Sequence, residues 1–141
     1  MLEIMAGPPS REKIYALERE IAKLPQLDLQ AKHYFSPGLY ARELFIPAGS
    51  VITGKLHKTA HLNICCGDVT VWTEIGMLRL TGHNTIPSMP GAKRVMYAHA
   101  DTYWTCLHVT TETDIEKLEA ELVENEEIGL NKTGAIWHIT T

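Results

Sequence analysis

The sequence predicts a mainly β fold, an antiparallel sandwich or barrel with one amphipathic helix before it and one after. Three observations lead there. From Leu39 to Thr110, short apolar and β-branched runs recur roughly every ten residues between turn residues. Within that region His61 to Cys66 alternates, with His61, Asn63 and Cys65 on one face and Leu62, Ile64 and Cys66 on the other. Outside it, apolar residues return at three- and four-residue steps, the period of a helix.

Residues 1–9 read as a loose tail broken by Gly7-Pro8-Pro9. A helix is expected over 10–24: Ser10 can cap it, Glu12 suits its positive first turn, and Pro25 stops it. Ile14, Leu17, Ile21 and Leu24 form its apolar stripe, and Glu18, Arg19, Glu20 and Lys23 its outward face, so it should cover a sheet or meet another subunit. Residues 25–38 read as a connection ending in the turn Ser36-Pro37-Gly38. The barrel, 39–110, begins with a strand from Leu39 to Ile46 and the turn Pro47-Ala48-Gly49. Strands follow over His61 to Cys66, Asp68 to Glu74, Met77 to Thr81, Thr85-Ile86, Arg94 to Ala98 and Thr102 to Thr110. Turns are expected at Gly67-Asp68, Ile75-Gly76, Gly82-His83-Asn84 and Pro87 to Gly91. No repeat of fixed period appears. A second helix over 113–126 opens on Thr113-Asp114-Ile115-Glu116, a capping box, and Ile115, Leu118 and Leu122 make its stripe. The tail, 129–141, is polar except for Ile136, Trp137 and Ile139, and its tryptophan is expected to dock on the same chain.

The totals narrow the function. At 141 residues the chain is expected to be a single domain able to bury a core, and 45% hydrophobic with 21% charged residues is ordinary for a globular protein. A formal charge of −4 argues against a partner that is a nucleic-acid polymer. The lack of any run of eighteen apolar residues argues against a membrane span. Met1 to Pro9 lacks the basic start and apolar core of a secretory signal. Cys65, Cys66 and Cys106 form neither a disulfide framework nor a Cys-x-x-Cys pattern; they read as core residues, and a reducing cytoplasm is the expected compartment. No serine–histidine–acid elbow, phosphate loop or zinc-protease helix is present.

The stretch from Ile46 to Arg94 resembles the cupin family. The first cupin motif runs glycine, five residues, a histidine pair and a glutamate, then a glycine turn; Gly49 to Gly67 is similar, with His57 and His61 in the ligand region. The second runs proline-x-glycine, two residues, then histidine; Ser88 to Arg94 is similar, with the turn at Pro90-Gly91. The resemblance covers about half of the chain. It implies a small double-stranded β-helix, or jelly-roll, barrel, and a helix on either side also looks like the short cupin-like proteins of bacteriophages, which would place it in the host cytoplasm. A metal cupin holds its ion with three histidines and a carboxylate. Here His57 and His61 are the metal candidates, no glutamate lies between them and Gly67, and Arg94 stands where the second-motif histidine is expected. A guanidinium keeps its proton and cannot ligate a cation. His99, His108 or Glu43 would have to complete a site for iron, manganese or zinc.

The same departures favour an anion. Lys55, His57, His61 and Asn63 share strand parity, Lys58 lies in the turn between the histidines, and Lys93 and Arg94 come from a strand that the barrel would place nearby. Guanidinium forks and ammonium charges bind phosphate or carboxylate. Tyr97 and Trp104, with Trp72 and Tyr103, offer flat apolar surface on which a base could stack, although tryptophans are more often core. The expected ligand set is therefore Lys55, His57, Lys58, His61, Asn63, Lys93, Arg94, Tyr97 and Trp104, for an anionic small molecule, with no cofactor. Three functions follow. One is a non-enzymatic binder, similar to phage sponges that sequester a host's nucleotide immune signal. A second is a metal-dependent dioxygenase, isomerase or lyase. The third is a structural or assembly protein. Flanking helices and sheet edges favour a homodimer or higher homo-oligomer.

Overall fold

The structure, a computed structural model, describes residues 10–73, 76–124 and 136–138. The chain runs α1 (Arg11–Ala22), β1 (Lys32–Ser36), β2 (Leu39–Ile46), β3 (Ser50–Thr53), β4 (His61–Thr73), β5 (Gly76–Ser88), β6 (Val95–Ala98), β7 (Thr102–Val109), α2 (Ile115–Leu122) and β8 (Ile136–His138). All named pairings are antiparallel. They build one curled sheet in the order β1-β2-β7-β4-β6-β3-β8, with β5 on the other side of β4.

The hairpin β4–β5 is the spine. Its register is unbroken from His61 opposite Ser88 to Thr73 opposite Gly76. The expected turns at Gly67-Asp68 and Gly82-His83-Asn84 are therefore not turns: Gly67 and Gly82 face each other across a continuous ladder. What happens at Gly67 is a change of neighbour. Residues 62–66 of β4 pair with β7, and residues 69–72 pair with β6. The sheet forks there into two arms, β7-β2-β1 and β6-β3-β8, which curl toward each other into a half-barrel. The fork is tight: a Cβ at Gly67 would lie 2.7 Å from Thr102 Cα and collide with the threonine side chain. Only glycine fits that approach.

The core lies between the arms. Leu44 and Ile46 of β2, Ile52 of β3, Val69 and Val71 of β4, Met96 of β6 and Trp104 of β7 form one buried cluster. Burying an aliphatic side chain of this size contributes about 1.5–3 kcal/mol. Trp104 is buried in this cluster, so packing claims the ring that was expected to offer a stacking surface. The first strand of the sheet, β1, falls in the stretch read as connection; its residues are all exposed and show no alternation.

Both helices depart from expectation in instructive ways. Ser10 caps α1 as expected, accepting from the Lys13 N–H at 3.2 Å. The buried face, however, is Ile14, Glu18 and Ile21, while Leu17 and Leu24 are exposed. Glu18, expected outside, is fully buried: it accepts from the Thr53 hydroxyl at 2.7 Å and from Lys93 Nζ at 3.0 Å. α2 is shorter than 113–126, and its cap is Asp114, which accepts from the Lys117 N–H, not Thr113. Residues 125–126 lie outside the described residues, as do 1–9 and most of the tail. The described part of the tail, β8, pairs with β3, Val51 opposite Trp137, so this strand joins the chain's own sheet.

Candidate functional site

The cavity sits at the mouth of the half-barrel, beneath α2. About 90 Å³ is open to the centres of water-sized molecules. At roughly 10–15 Å³ per water, that holds several waters or one small polar group with an apolar neighbour. Its floor is the apolar core: Leu44, Ile52, Met96 and Trp104. Its lid is Ile115, Leu118, Leu122 and Val123, and its polar wall is His57, His61, Asn63 and His108 with Arg42, Lys55 and Arg94.

Each polar group is placed by a backbone device. His57 lies outside any strand. Its N–H donates to the Ala92 carbonyl at 3.0 Å and its carbonyl accepts from the Gly91 N–H at 2.8 Å, so the Pro90-Gly91 turn holds it. His61 opens β4, and its Nδ1 lies 3.1 Å from the Thr59 carbonyl. Asn63, two residues on, points the same way. Its Nδ2 donates to Ser88 Oγ at 2.6 Å and its Oδ1 accepts from the Cys106 thiol at 3.1 Å, which consumes most of its hydrogen-bonding capacity. His108 comes from β7, opposite Tyr40 of β2, and Arg42 is opposite Cys106. Arg94 stands just ahead of β6, its carbonyl accepting from the Gly54 N–H at 2.9 Å.

Three imidazoles therefore meet. Ring centroids are 4.5 Å apart for His57 and His61, 4.7 Å for His61 and His108, and 5.7 Å for His57 and His108. Tyr40 continues the stack beyond His108 at 6.1 Å, and its hydroxyl lies 2.6 Å from His33 Nδ1. Burial pushes the His57 pKa down to about 3, helped by repulsion from His61, His108 and Arg94. Burial likewise pushes His108 down to about 4, helped by His61 and Arg42. Burial also raises the Tyr40 phenol to about 12. At neutral pH His57 and His108 are uncharged, with one nitrogen each able to accept. The buried Nδ1 of His108 has no hydrogen-bond partner among the described residues.

The expected site residues divide. Lys55, His57, His61, Asn63, Arg94 and Trp104 do surround one cavity. Lys58, Lys93 and Tyr97 are not among its lining residues. Lys58 is exposed and donates to the Ala120 carbonyl at 2.9 Å, fastening α2. Lys93 points under α1, where Glu18 neutralises it. Tyr97 lies edge-on to His99, at 4.8 Å. Sequence reasoning passed over Arg42, Tyr40 and the α2 residues Leu118 and Glu119. Arg42 could have been found: it shares parity with Tyr40 and Leu44, an inward cation on an alternating strand.

The resemblance implies a divalent metal. In favour, His57 and His108 are neutral donors. Against it, no group of three or more His, Cys, Asp or Glu side chains among the described residues is arranged to hold an ion. The rings lie nearly face to face, 13° to 33° apart, and Arg94 and Arg42 impose the same field on a metal cation that they impose on a proton. As arranged, the residues do not fit a metal.

Solved structures share this architecture. Salicylate 1,2-dioxygenase from Pseudoaminobacter salicylatoxidans, in adducts with gentisate, is similar over 82% of this chain and 34% of its own, with 13% identity and a TM-score of 0.54. KdgF from a Halomonas species is similar over 67% of this chain and 93% of its own, with 16% identity and a TM-score of 0.51. A cupin superfamily protein from Desulfitobacterium hafniense is similar over 61% and 81%, with 9% identity and a TM-score of 0.48. The fold is a cupin barrel. At these identities the likeness speaks for the fold alone. No protein-family model and no curated protein matches the chain. Among the described residues no helix of this cupin barrel is long and apolar enough to cross a membrane.

Proposed function

We propose that the chain binds, without turning it over, a small molecule that presents a carboxylate or phosphate to the cavity beneath α2. The observation that carries this reading is the lining of that cavity, where Arg42 stands near the imidazole of His108. Among the described lining residues Arg42, Lys55 and Arg94 bring positive charge, and Glu119 alone brings a carboxylate. Guanidiniums take carboxylate and phosphate oxygens in pairs. The apolar floor and the lid fit an apolar body behind the anionic group. The volume takes one such group with a small body; a nucleotide would insert its phosphate and leave its base outside.

Calorimetry with benzoate, inorganic phosphate, adenosine monophosphate and a cyclic dinucleotide tests this, with mass spectrometry of the recovered probe. At least one probe is expected to bind and return unchanged, and Arg42→Gln is expected to weaken it about tenfold or more, the loss of a charge-assisted contact. Chemically altered probe, or binding indifferent to Arg42→Gln, would overturn the reading.

A second reading, a metal-dependent cupin enzyme, requires the rings of His57, His61 and His108 to turn out of their present packing. Stoichiometric iron, manganese or zinc in protein purified without chelator, with turnover that chelation abolishes, would replace the first reading by this one.

A further inference from the structure

We infer that the outer face of the β1-β2-β7-β4 arm is the surface on which a second copy of this chain packs, sheet against sheet about a two-fold axis. Alternation puts the cavity residues of β2, β7 and β4 inside, and the residues between them outside. That outside is apolar. Leu39 and Phe45 of β2, Tyr103 and Val109 of β7, Leu62 of β4 and Tyr34 of β1 are all exposed, Val109 to 86%. They are contiguous by register: Phe45 is opposite Tyr103, Leu39 opposite Val109, and Leu62 opposite Leu107. Phe45 and Tyr103 already pack on each other, centroids 5.2 Å apart.

Neither helix covers this face. α1 lies on the other arm, through Glu18, Thr53 and Lys93, and α2 lies over the mouth, against Tyr40. Glu124 and β8, which flank the undescribed segment 125–135, are held by Leu56 and by β3, also away from it.

Size and charge select the occupant. Strands about 4.8 Å apart and about 3.4 Å per residue give β1, β2, β7 and the adjoining end of β4 a face on the order of 450 Å² in projection. That is the size of the largest apolar patch on a typical monomer, and side-chain relief raises it toward the roughly 800 Å² per partner of a stable complex. On the face Lys32 stands opposite Glu43, so a self-complementary pairing meets both signs of charge. The bare edge of β1 is the lesser candidate: it is five residues long and carries Lys32, a residue that discourages edge pairing.

The chain carries its own reporter. Cys66 is exposed on this face, and Cys65 and Cys106 are buried. Sedimentation at tens of micromolar should give about twice the 15.8 kDa chain mass. Cys66 should react with a thiol reagent at least tenfold more slowly than in a Phe45→Glu, Leu62→Glu variant, which should be monomeric. Val109→Lys, at a side chain with little packing to lose, is the second disruptor should the double variant misfold. A monomer with reactive Cys66 overturns the inference. So does a monomer with protected Cys66, which would mean that the chain covers its own face. An oligomer that survives these substitutions with Cys66 still reactive overturns it as well, because its interface lies elsewhere.

Discussion

Lys93 and Arg94 are neighbours in sequence, both 6% exposed, and they do opposite things. Lys93 turns toward α1, where Glu18 lies 3.0 Å away, both side chains are almost fully buried, and the Gly54 carbonyl and the Tyr15 ring complete the shell. Arg94 lines the cavity beneath α2, where it helps keep His57 neutral. The difference separates scaffold from site. A buried cation supplied with a matched carboxylate fixes where a helix sits, and it has no charge left to offer. Around the cavity, by contrast, Arg42, Lys55 and Arg94 line an opening with a single acid, Glu119, among the described lining residues.

The contrast can be broken most forcefully on the scaffold side. Glu18→Ala leaves Lys93 buried without its carboxylate and should cost about 3–5 kcal/mol in urea unfolding. A Glu18→Leu, Lys93→Met double variant should recover most of that, since matched apolar groups often replace a buried pair without loss. If Glu18→Ala were neutral, the pair would not fix α1.

A pH titration of stability sharpens the cavity side. His57 and His108 have folded pKa values of about 3 and about 4, below the unfolded value of about 6.5. Their contribution is fully present above pH 6.5. It is lost as pH falls below 6.5 toward those lower values, because the unfolded chain then binds the protons first. The slope should reach about 1.4 kcal/mol per pH unit for each such proton. Urea midpoints from pH 7.5 to 4.5 measure it, and His108→Asn should flatten the curve. A bound anion should also flatten it, because its charge favours protonated imidazole.

Smaller effects follow at the edges of the comparison. Arg42→Gln should weaken the anionic probe about tenfold while changing stability by less than about 1 kcal/mol, the reverse of Glu18→Ala. Lys58→Ala removes an exposed bond to the Ala120 carbonyl and should lower stability by about 0.5–1 kcal/mol, seen as a small shift in the urea midpoint.

What was legible in the sequence was what local pattern encodes. Alternation over His61 to Cys66 put His61 and Asn63 inside, and the flanking helices announced themselves by cap and period. The cupin barrel was readable from glycine placement and strand spacing together. The rest depended on partners distant in sequence. Glu18 occupies the stripe between Ile14 and Ile21, but its charge argued for water; the lysine that reverses this lies 75 residues on. Gly67 and Gly82 look like turns one at a time, and become a bend only when set opposite each other. β1 has no buried face and so no alternation to read. His108 was only one of several residues that could have joined the histidine pair; β7 lying beside β4 decided among them.

The unbroken ladder of β4 on β5 has a mechanical consequence. One rigid strand carries His61 and Asn63 at one end and the core residues Val69 and Val71 at the other, with the fork at Gly67 between them. A disturbance that spreads the two arms would pivot there and draw His61 away from His57, which hangs on the Pro90-Gly91 turn. The aperture of the mouth is thus geared to the packing of the barrel, so substitutions far below the cavity should retune its affinity without touching anything bound there.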